Sequence, residues 1–296
     1  MTGTPSLPGV RLESEGRPRR SPVARAALVS PEIVALALGV ATLAVLLALF
    51  GRNGYDDPFI TFRYAQNLLA GDGFVYNVGQ RTLSTTAPLY GLLLAGLGLV
   101  WPDLPILANT LSALSLVLAA AVLFLQARAH GEVAVGLVAG TFLGIAPLAV
   151  VTFGSETCLY VAAILAGLYA YDRSRPEVAA VALAAAAMIR PDGVLAAAVL
   201  AACHLLARRA VPWRPVALYV ALTGAWFGAL WLYYGSPIPV TLLAKQQQGL
   251  MAISPGFPER FVSMVRGYLR LPFTWAHGAL ALVGLVRVVR QARHWL

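Results

Sequence analysis

The chain has 296 residues, of which 59% are hydrophobic and only 12% are charged. Soluble domains usually carry about 25% charged residues, and a soluble fold cannot hide so much apolar surface from water. The composition therefore excludes a disordered chain, a coiled coil and almost any soluble enzyme, and it predicts a multi-pass membrane protein. The net charge of +9 indicates topology signals in cytoplasmic loops, so we expect no nucleic-acid partner.

Residues 1–31 are rich in proline, glycine and arginine. This composition is typical of a solvated, disordered basic tail, which we expect on the cytoplasmic side. The apolar run 33–50 follows without a convincing cleavage site, so we interpret it as an uncleaved signal anchor whose N-terminus lies inside. Residues 32–296 are predicted to form one transmembrane module.

Nine apolar runs follow the tail, and their Ala, Leu and Gly content without polar alternation favours helices over barrel strands. All arginine clusters lie inside the cell if three runs do not cross the membrane: a partial helix at 88–101, and a hairpin of 178–189 and 194–207. The other six are predicted to cross, with both termini inside: 33–50, 104–127, 133–153, 157–171, 215–234 and 276–289. The predicted fold class is all-α, a polytopic transmembrane helical bundle.

Four polar segments then lie outside the cytoplasmic membrane: 51–87, 154–157, 190–193 and 235–275. The first of them contains adjacent carboxylates, Asp56 and Asp57, just beyond the first membrane helix. Such a pair can act as a general base or bind a divalent cation. The alternative is an N-cap pair, because Pro58 suits the first turn of a new helix. We expect that helix to lie in the plane of the membrane interface.

Four segments resemble, in the same order, motifs of the GT-C glycosyltransferases. The branch concerned is bacterial and is related to mycobacterial arabinofuranosyltransferases and, more distantly, to protein O-mannosyltransferases. The segments are the first outside loop from Asp56 to Tyr90, the motif Gly154-Ser155-Glu156-Thr157-Cys158-Leu159-Tyr160, the turn Arg190-Pro191-Asp192-Gly193, and Tyr234-Gly235-Ser236-Pro237-Ile238-Pro239. The resemblance runs from about residue 50 to about residue 250.

The resemblance implies a GT-C-like bundle with interfacial helices in the first extracytoplasmic loop. It also implies a cell-envelope enzyme that moves a sugar from a polyprenyl-phosphate donor to an acceptor hydroxyl outside, with inversion. The acceptor would be a glycan, a lipid or a protein. Asp56 matches the family's catalytic carboxylate and is assigned as the base. Asp57 is assigned as its partner or as the ligand of a divalent cation, the one cofactor that the sequence suggests.

The remaining charges outside the membrane are candidates for binding the donor. Arg190 could hold the donor phosphate, which an arginine can bind bidentately. The alternatives are an ion pair with Asp192 and a contact with a lipid headgroup. Lys245, the only lysine, and Arg63 could contact the same phosphate or lipid headgroups. We expect Glu156 and Tyr55 to contact the sugar or the acceptor, although Glu156 could instead be a carboxylate that stabilises a helix N-terminus.

Two other classes of function fit the sequence. A transporter of lipid-linked sugars would also contain broken helices and intramembrane charges. A non-catalytic or truncated GT-C-like subunit is the other class, because the chain ends at Leu296, whereas GT-C enzymes usually continue through several further helices. A nucleotide-sugar donor is disfavoured, since the sequence contains no phosphate-cradling glycine motif.

Overall fold

The fold is described from a computed structural model over residues 30–52, 54–250 and 256–292. The predicted basic tail lies outside these ranges except for Ser30 and Pro31, where the first helix begins. Within the described ranges all regular structure is helical, as predicted. The helices are α1 Pro31–Phe50, α2 Pro58–Leu69, α3 Pro88–Gly98, α4 Leu104–Ala129, α5 Val133–Gly144, α6 Pro147–Val151, α7 Thr157–Asp172, α8 Pro176–Ile189, α9 Gly193–Arg208, α10 Trp213–Tyr234, α11 Val240–Leu250, α12 Phe257–Leu269 and α13 Pro272–Ala292.

Four spans among the described residues are long and apolar enough to cross a membrane: α1, α4, α5 with α6, and α10. The bent pair of α12 and α13 would be a fifth. The sequence predicts six crossings, and the difference concerns α7, which has only 16 residues. At 1.5 Å per residue α7 is about 24 Å long, short of the roughly 30 Å hydrocarbon core.

Ion pairs join several helices at one end of the bundle, which we call the Glu32 end. Glu32 at the start of α1 pairs with Arg128 near the end of α4, 2.8 Å away. Glu132, before α5, pairs with Arg287 of α13 at 2.6 Å. Contacts of 2.7–3.5 Å connect the ends of α4, α7 and α9 there, through Tyr171–His204 and His130–Asp172. The arginines at this end are Arg128, Arg173, Arg175, Arg208, Arg209, Arg214 and Arg287.

The opposite ends of the same helices meet at what we call the Asp56 end. Arg52, after α1, forms an ion pair with Asp103, which caps the start of α4. Phe50 stacks on Phe153, with ring centroids 4.4 Å apart. Tyr234, at the end of α10, donates a hydrogen bond to the carbonyl of Phe74 at 2.5 Å. Residues far apart in sequence are therefore gathered at one end of the bundle.

Helix α4 is the centre of the packing. Half of its most apolar stretch is buried inside the protein, and it contacts α1, α3, α5 and α7. Leu116 on α4 lies in a cluster with Leu46, Phe153 and Cys158. Burial of a large aliphatic side chain stabilises a protein in water by roughly 1.5–3 kcal/mol. In apolar lipid the hydrophobic contribution is smaller, so the association of helices depends more on close van der Waals packing. Gly136 on α5 allows this packing, since a Cβ there would lie 2.9 Å from Phe124 Cα.

The hairpin predicted at 178–207 is present as α8 and α9, with its turn at Arg190 to Gly193. Gly193 is buried against α8, where a Cβ would lie 2.6 Å from the Ala187 backbone nitrogen. The arms have 14 and 16 residues, longer than their apolar runs indicate. Because α9 is as long as α7, helix length alone does not separate a crossing helix from a hairpin arm.

Candidate active site at the Asp56 end

The chain that leaves α1 is held firmly where it reaches the Asp56 end. The Asn109 side-chain amide, on α4, donates a hydrogen bond to the Gly51 carbonyl at 2.8 Å. Gly54 packs beside the Phe153 carbonyl, which would lie 3.8 Å from a Cβ at that position. These contacts place residues 54–57 alongside the segment 153–156, which contains the second predicted motif.

Asp56 and Asp57 are both exposed at the start of α2. Their backbone carbonyls accept hydrogen bonds from the amides of Phe59 and Ile60, at 3.0 and 3.1 Å. Asp57 occupies the N-cap position, but its side chain makes no capping hydrogen bond. Within the described parts of the chain neither carboxylate has a hydrogen-bond or ion-pair partner. The structure therefore does not support the capping alternative for this pair.

Arg190 connects two of the predicted motifs. Its Nη1 donates to Glu156 Oε1 at 2.9 Å, and its Nε and Nη2 donate to the two Asp192 oxygens at 3.0 and 3.1 Å. The guanidinium also lies 5.5 Å from the centre of the Tyr160 ring. The ion pair with Asp192, left open by the sequence, is present. Glu156 stands at the N-cap of α7 without capping it, so its carboxylate instead holds Arg190.

The Arg190 cluster, formed by Glu156, Arg190 and Asp192, combines burial with access. The Glu156 side chain is 12% exposed, whereas the Arg190 side chain is 35% exposed. Burial lowers the pKa of Arg190, but hydrogen bonds and charge interactions with Asp192 and Glu156 more than offset this, so its pKa is raised and it stays charged. A guanidinium has five N–H groups, and three of them are used in these contacts. The remaining two can bind a further acceptor.

Tyr55 lies between the aspartate pair and the Arg190 cluster. Its pKa is raised, chiefly because burial disfavours the phenolate, and the charges of Glu156 and Asp57 raise it further. Ser155 and Arg190 act in the opposite direction. Tyr55 therefore remains protonated near neutral pH, and its hydroxyl can donate a hydrogen bond to a sugar or an acceptor.

A buried polar network beneath these residues is absent from the sequence prediction. Ser112 Oγ on α4 accepts a hydrogen bond from the Gly154 amide at 3.1 Å and donates to the Ser155 carbonyl at 3.3 Å. The Tyr90 hydroxyl donates to the Gly154 carbonyl at 3.1 Å. The network fixes the segment that leads into Glu156. The sequence does contain a signal for this network. Asn109 and Ser112 stand in an otherwise apolar run, where polar residues usually have a specific role.

Replacement of Gly154 by alanine is expected to destabilise this network. Gly154 has φ +88°, and a Cβ would lie 2.5 Å from Asn109 Oδ1. We expect a loss of about 2–4 kcal/mol in unfolding free energy from backbone strain and the clash together. The measurement is denaturant unfolding in detergent. Gly71→Ala is the matched control, because Gly71 has φ +86° with nothing within 4 Å of a Cβ. Equal losses in both variants would show that the Asn109 contact is unimportant.

Helix α2 begins at Pro58, as predicted, but its apolar residues occupy two faces. Phe62 and Tyr64 are buried, whereas Phe59 is 52% exposed. Packing against α3 selects the buried face. On that face Thr61 Oγ1 lies 2.9 Å from Oγ1 of Thr85, in the loop before α3. The apolar residues of α2 are therefore divided between the protein interior and the surface. An interfacial position for α2 stays a prediction.

The two other predicted basic residues form no ion pair or hydrogen bond with the Arg190 cluster in the described structure. Arg63 is on the exposed face of α2, and Lys245 is exposed on α11. Neither forms an ion pair within the part of the chain that the structure describes. Helix α11 is tied to the first outside loop by the Val240 amide, which donates to the Leu83 carbonyl at 2.8 Å. Both side chains are available to an external anion.

Two cavities in the described structure differ greatly in size. The cavity beside Tyr55, Phe59 and Gly154 has a volume of only about 10 Å³. A much larger apolar groove of about 500 Å³ is lined by α8, α9 and α10. It extends from Val194, close to the hairpin turn, to His204 near the Glu32 end.

No group of three or more His, Cys, Asp or Glu side chains able to hold a metal ion occurs in the ranges 30–52, 54–250 and 256–292. If Asp56 and Asp57 hold a metal ion, the protein therefore supplies at most these two carboxylates from the described residues. Comparison of the sequence with protein-family models, curated proteins and solved structures gives no match.

Proposed function

We propose that this chain is a membrane glycosyltransferase of the GT-C type that uses a polyprenyl-phosphate sugar as its donor. Transfer to an acceptor hydroxyl occurs at the Asp56 end, on the outer face of the cytoplasmic membrane. The basic segment that precedes α1 and the arginines of the Glu32 end favour this orientation, since cytoplasmic loops collect Lys and Arg.

One observation carries the proposal. Two exposed carboxylates without partners in the described structure, Asp56 and Asp57, share one end of the bundle with the partly exposed Arg190. A free carboxylate can accept a proton, and an arginine can bind a phosphate bidentately. The two groups that this reaction needs are therefore both available at the level where the donor's headgroup would lie.

The proposed reaction exchanges one bond at the anomeric carbon. Asp56 takes the proton of the acceptor hydroxyl, and the acceptor oxygen attacks the anomeric carbon. The bond from that carbon to the donor phosphate oxygen breaks, and polyprenyl phosphate leaves with the electron pair. Attack opposite the leaving group inverts the anomeric centre. Arg190 stabilises the charge that develops on the leaving phosphate, while Tyr55 and Glu156 orient the sugar or the acceptor.

The charge balance of the site favours a divalent cation in this reaction. Asp56, Asp57, Glu156 and Asp192 outnumber the single guanidinium of Arg190, so an anionic phosphate needs further positive charge. One or two carboxylates with phosphate oxygens and water form a ligand set typical of Mg²⁺. Asp57 is the residue that would hold the cation, and the cation would neutralise charge on the leaving phosphate. Arg63 and Lys245 are further candidates to contact the donor.

The groove between α8, α9 and α10 supports a lipid-linked donor. Its lining is almost wholly apolar, and it begins within one helical turn of the Arg190 cluster at Val194. A donor whose phosphate contacts Arg190 could lay its first isoprene units in this groove. A soluble nucleotide sugar has no apolar chain that could occupy this groove.

Reconstitution of the purified chain in liposomes tests the function directly. With a radiolabelled polyprenyl-phosphate sugar and an alcohol acceptor, we expect a glycosidic product. Sugar-phosphate uptake without such a product would overturn the proposal in favour of a transporter. Binding of the donor without transfer or uptake would instead indicate a non-catalytic subunit.

Removal of divalent cations is expected to abolish most of the transfer activity. The reason is the excess of carboxylates around the phosphate position, which Arg190 alone does not balance. Transfer is measured after treatment with EDTA and again after addition of Mg²⁺ or Mn²⁺, which should restore it. Full activity in EDTA would contradict the assignment of Asp57 as a cation ligand.

A further inference from the structure

Helix α12, Phe257–Leu269, separates apolar from polar residues more completely than its neighbours do. At 100° per residue, Val262, Val265 and Leu269 fall within about 60° of one another. Ser263 falls on the polar side, about 130° from the centre of that arc. Arg266, about 70° from the centre, and Arg270, directly after the helix, lie along the polar edge of the apolar side. This pattern is typical of a helix that lies at a boundary between water and an apolar phase.

The apolar side of α12 is largely uncovered in the described structure. Val262 is 44% exposed, Val265 is 36% exposed and Leu269 is 45% exposed. Helix α12 has substantial contact only with α13. An uncovered apolar face of this kind needs an occupant.

The orientation of α12 follows from that of α13. His277 on α13 contacts the Phe142 carbonyl of α5 at 3.1 Å, and Arg287 pairs with Glu132 at the start of α5. Ten residues separate each pair of positions, from 277 to 287 and from 142 back to 132, so α13 runs antiparallel to α5. Because α5 belongs to a candidate membrane span, α13 lies along the membrane normal.

Helices α12 and α13 meet at an angle of 99°. An axis at nearly a right angle to the membrane normal lies in the membrane plane. The bend is fixed by Trp275, whose indole nitrogen donates to the Leu269 carbonyl at 3.0 Å and so satisfies a free carbonyl at the end of α12. Trp275 is 63% exposed, and tryptophan is enriched at membrane interfaces.

The depth of α12 also follows from the contacts of α13. Helix α13 begins at Pro272, five residues before His277, which is about 7 Å closer to the Asp56 end. Phe142 stands nine residues before Val151, where the span ends, at a distance of about 14 Å. The start of α13, and with it α12, thus lies near the Asp56 end.

We infer that α12 is an interfacial helix that docks on the phospholipid bilayer in the leaflet at the Asp56 end. Its apolar side, with Val262, Val265 and Leu269, rests on the acyl chains. Arg266 and Arg270 lie along the polar edge of that side, from which their long side chains reach anionic headgroup phosphates, to which their charge is complementary. The inference depends on the chain crossing the membrane and not on any glycosyl transfer.

Spin labelling of the full chain in liposomes tests this inference. Single cysteines are introduced at Val262, Val265 and Leu269, with Ser263→Cys as the matched control, in a chain that carries Cys158→Ser and Cys203→Ser. Collision rates are measured with oxygen, which partitions into acyl chains, and with a water-soluble nickel complex. We expect oxygen to dominate by several-fold at the three apolar positions and nickel to dominate at position 263.

Two outcomes would overturn the inference. High nickel accessibility at all four positions would place α12 in water. Exclusion of both reagents from the apolar positions would show that protein, such as a second copy, covers this face.

A further arm compares phosphatidylglycerol with phosphatidylcholine liposomes, where we expect deeper apolar labels with the anionic lipid. In the double variant Arg266→Gln/Arg270→Gln we expect the labels to lie at the same depth in both lipids. A difference in depth that persists in this variant would contradict the headgroup contact.

Discussion

Replacement of Asp56 by asparagine is expected to lower the turnover of sugar transfer about 10²- to 10⁴-fold, the usual contribution of a general base. Asparagine keeps the size of the side chain and removes its ability to accept a proton. The measurement is the initial rate of product formation at saturating donor. Asp57→Asn is expected to act mainly through the cation, so part of its loss should be recovered at high Mg²⁺ concentration.

Neither substitution is expected to disturb the fold, so a change in turnover reports on the reaction itself. Both carboxylates are exposed and lack side-chain partners in the described residues, so we expect the stability of either variant to stay within about 0.5 kcal/mol of the parent chain. Asp72, exposed in the same loop, supplies the matched control Asp72→Asn, which should keep full activity. Near-normal turnover in both Asp56→Asn and Asp57→Asn would contradict the assignment of the catalytic pair.

Replacement of Arg190 by glutamine is expected to reduce both stability and donor binding. The variant leaves the Glu156 carboxylate, which is 12% exposed, without its counter-charge. Removal of one partner from a fully buried pair costs 3–5 kcal/mol, and the exposure of Arg190 to water lowers our expectation to about 1–3 kcal/mol. Weaker binding of the donor phosphate should raise the KM for the donor.

A double-mutant cycle separates the two effects of Arg190. Glu156→Gln removes the isolated charge, so Arg190→Gln/Glu156→Gln should be more stable than the sum of the two single losses indicates, by about 1–2 kcal/mol. Unfolding in detergent gives these free energies. Strict additivity would show that the 2.9 Å contact does not contribute to stability. Arg190→Lys preserves the charge but not the bidentate fork, and a normal KM in that variant would contradict phosphate binding through the fork.

Local signals predicted the elements that position the candidate site. Pro58 marks the start of α2, the Arg190-Pro191-Asp192-Gly193 turn separates α8 from α9, and both signals arise from backbone restrictions that act within a few residues. The placement of the aspartate pair just beyond α1 follows from the length of an apolar run. These features need no knowledge of tertiary packing.

Tertiary contacts decide the parts that sequence reasoning missed. The pairing of Arg190 with Glu156 joins residues 34 positions apart, and no periodicity encodes it. The buried face of α2 is chosen by α3 and by the loop that precedes α3, where Thr85 contacts Thr61. Hydropathy defines apolar runs but not where helices end, so the count of crossings and the lengths of α7 and α9 could not be settled from composition.

A structure of the full chain with a non-hydrolysable polyprenyl-phosphate sugar analogue tests the central claim most directly. We expect the phosphate within hydrogen-bond distance of the Arg190 guanidinium, the anomeric carbon facing Asp56, and the isoprene chain in the groove of α8, α9 and α10. The proposed site would be contradicted if the analogue binds elsewhere, with Arg190 still held only by Glu156 and Asp192 and with Asp56 facing solvent.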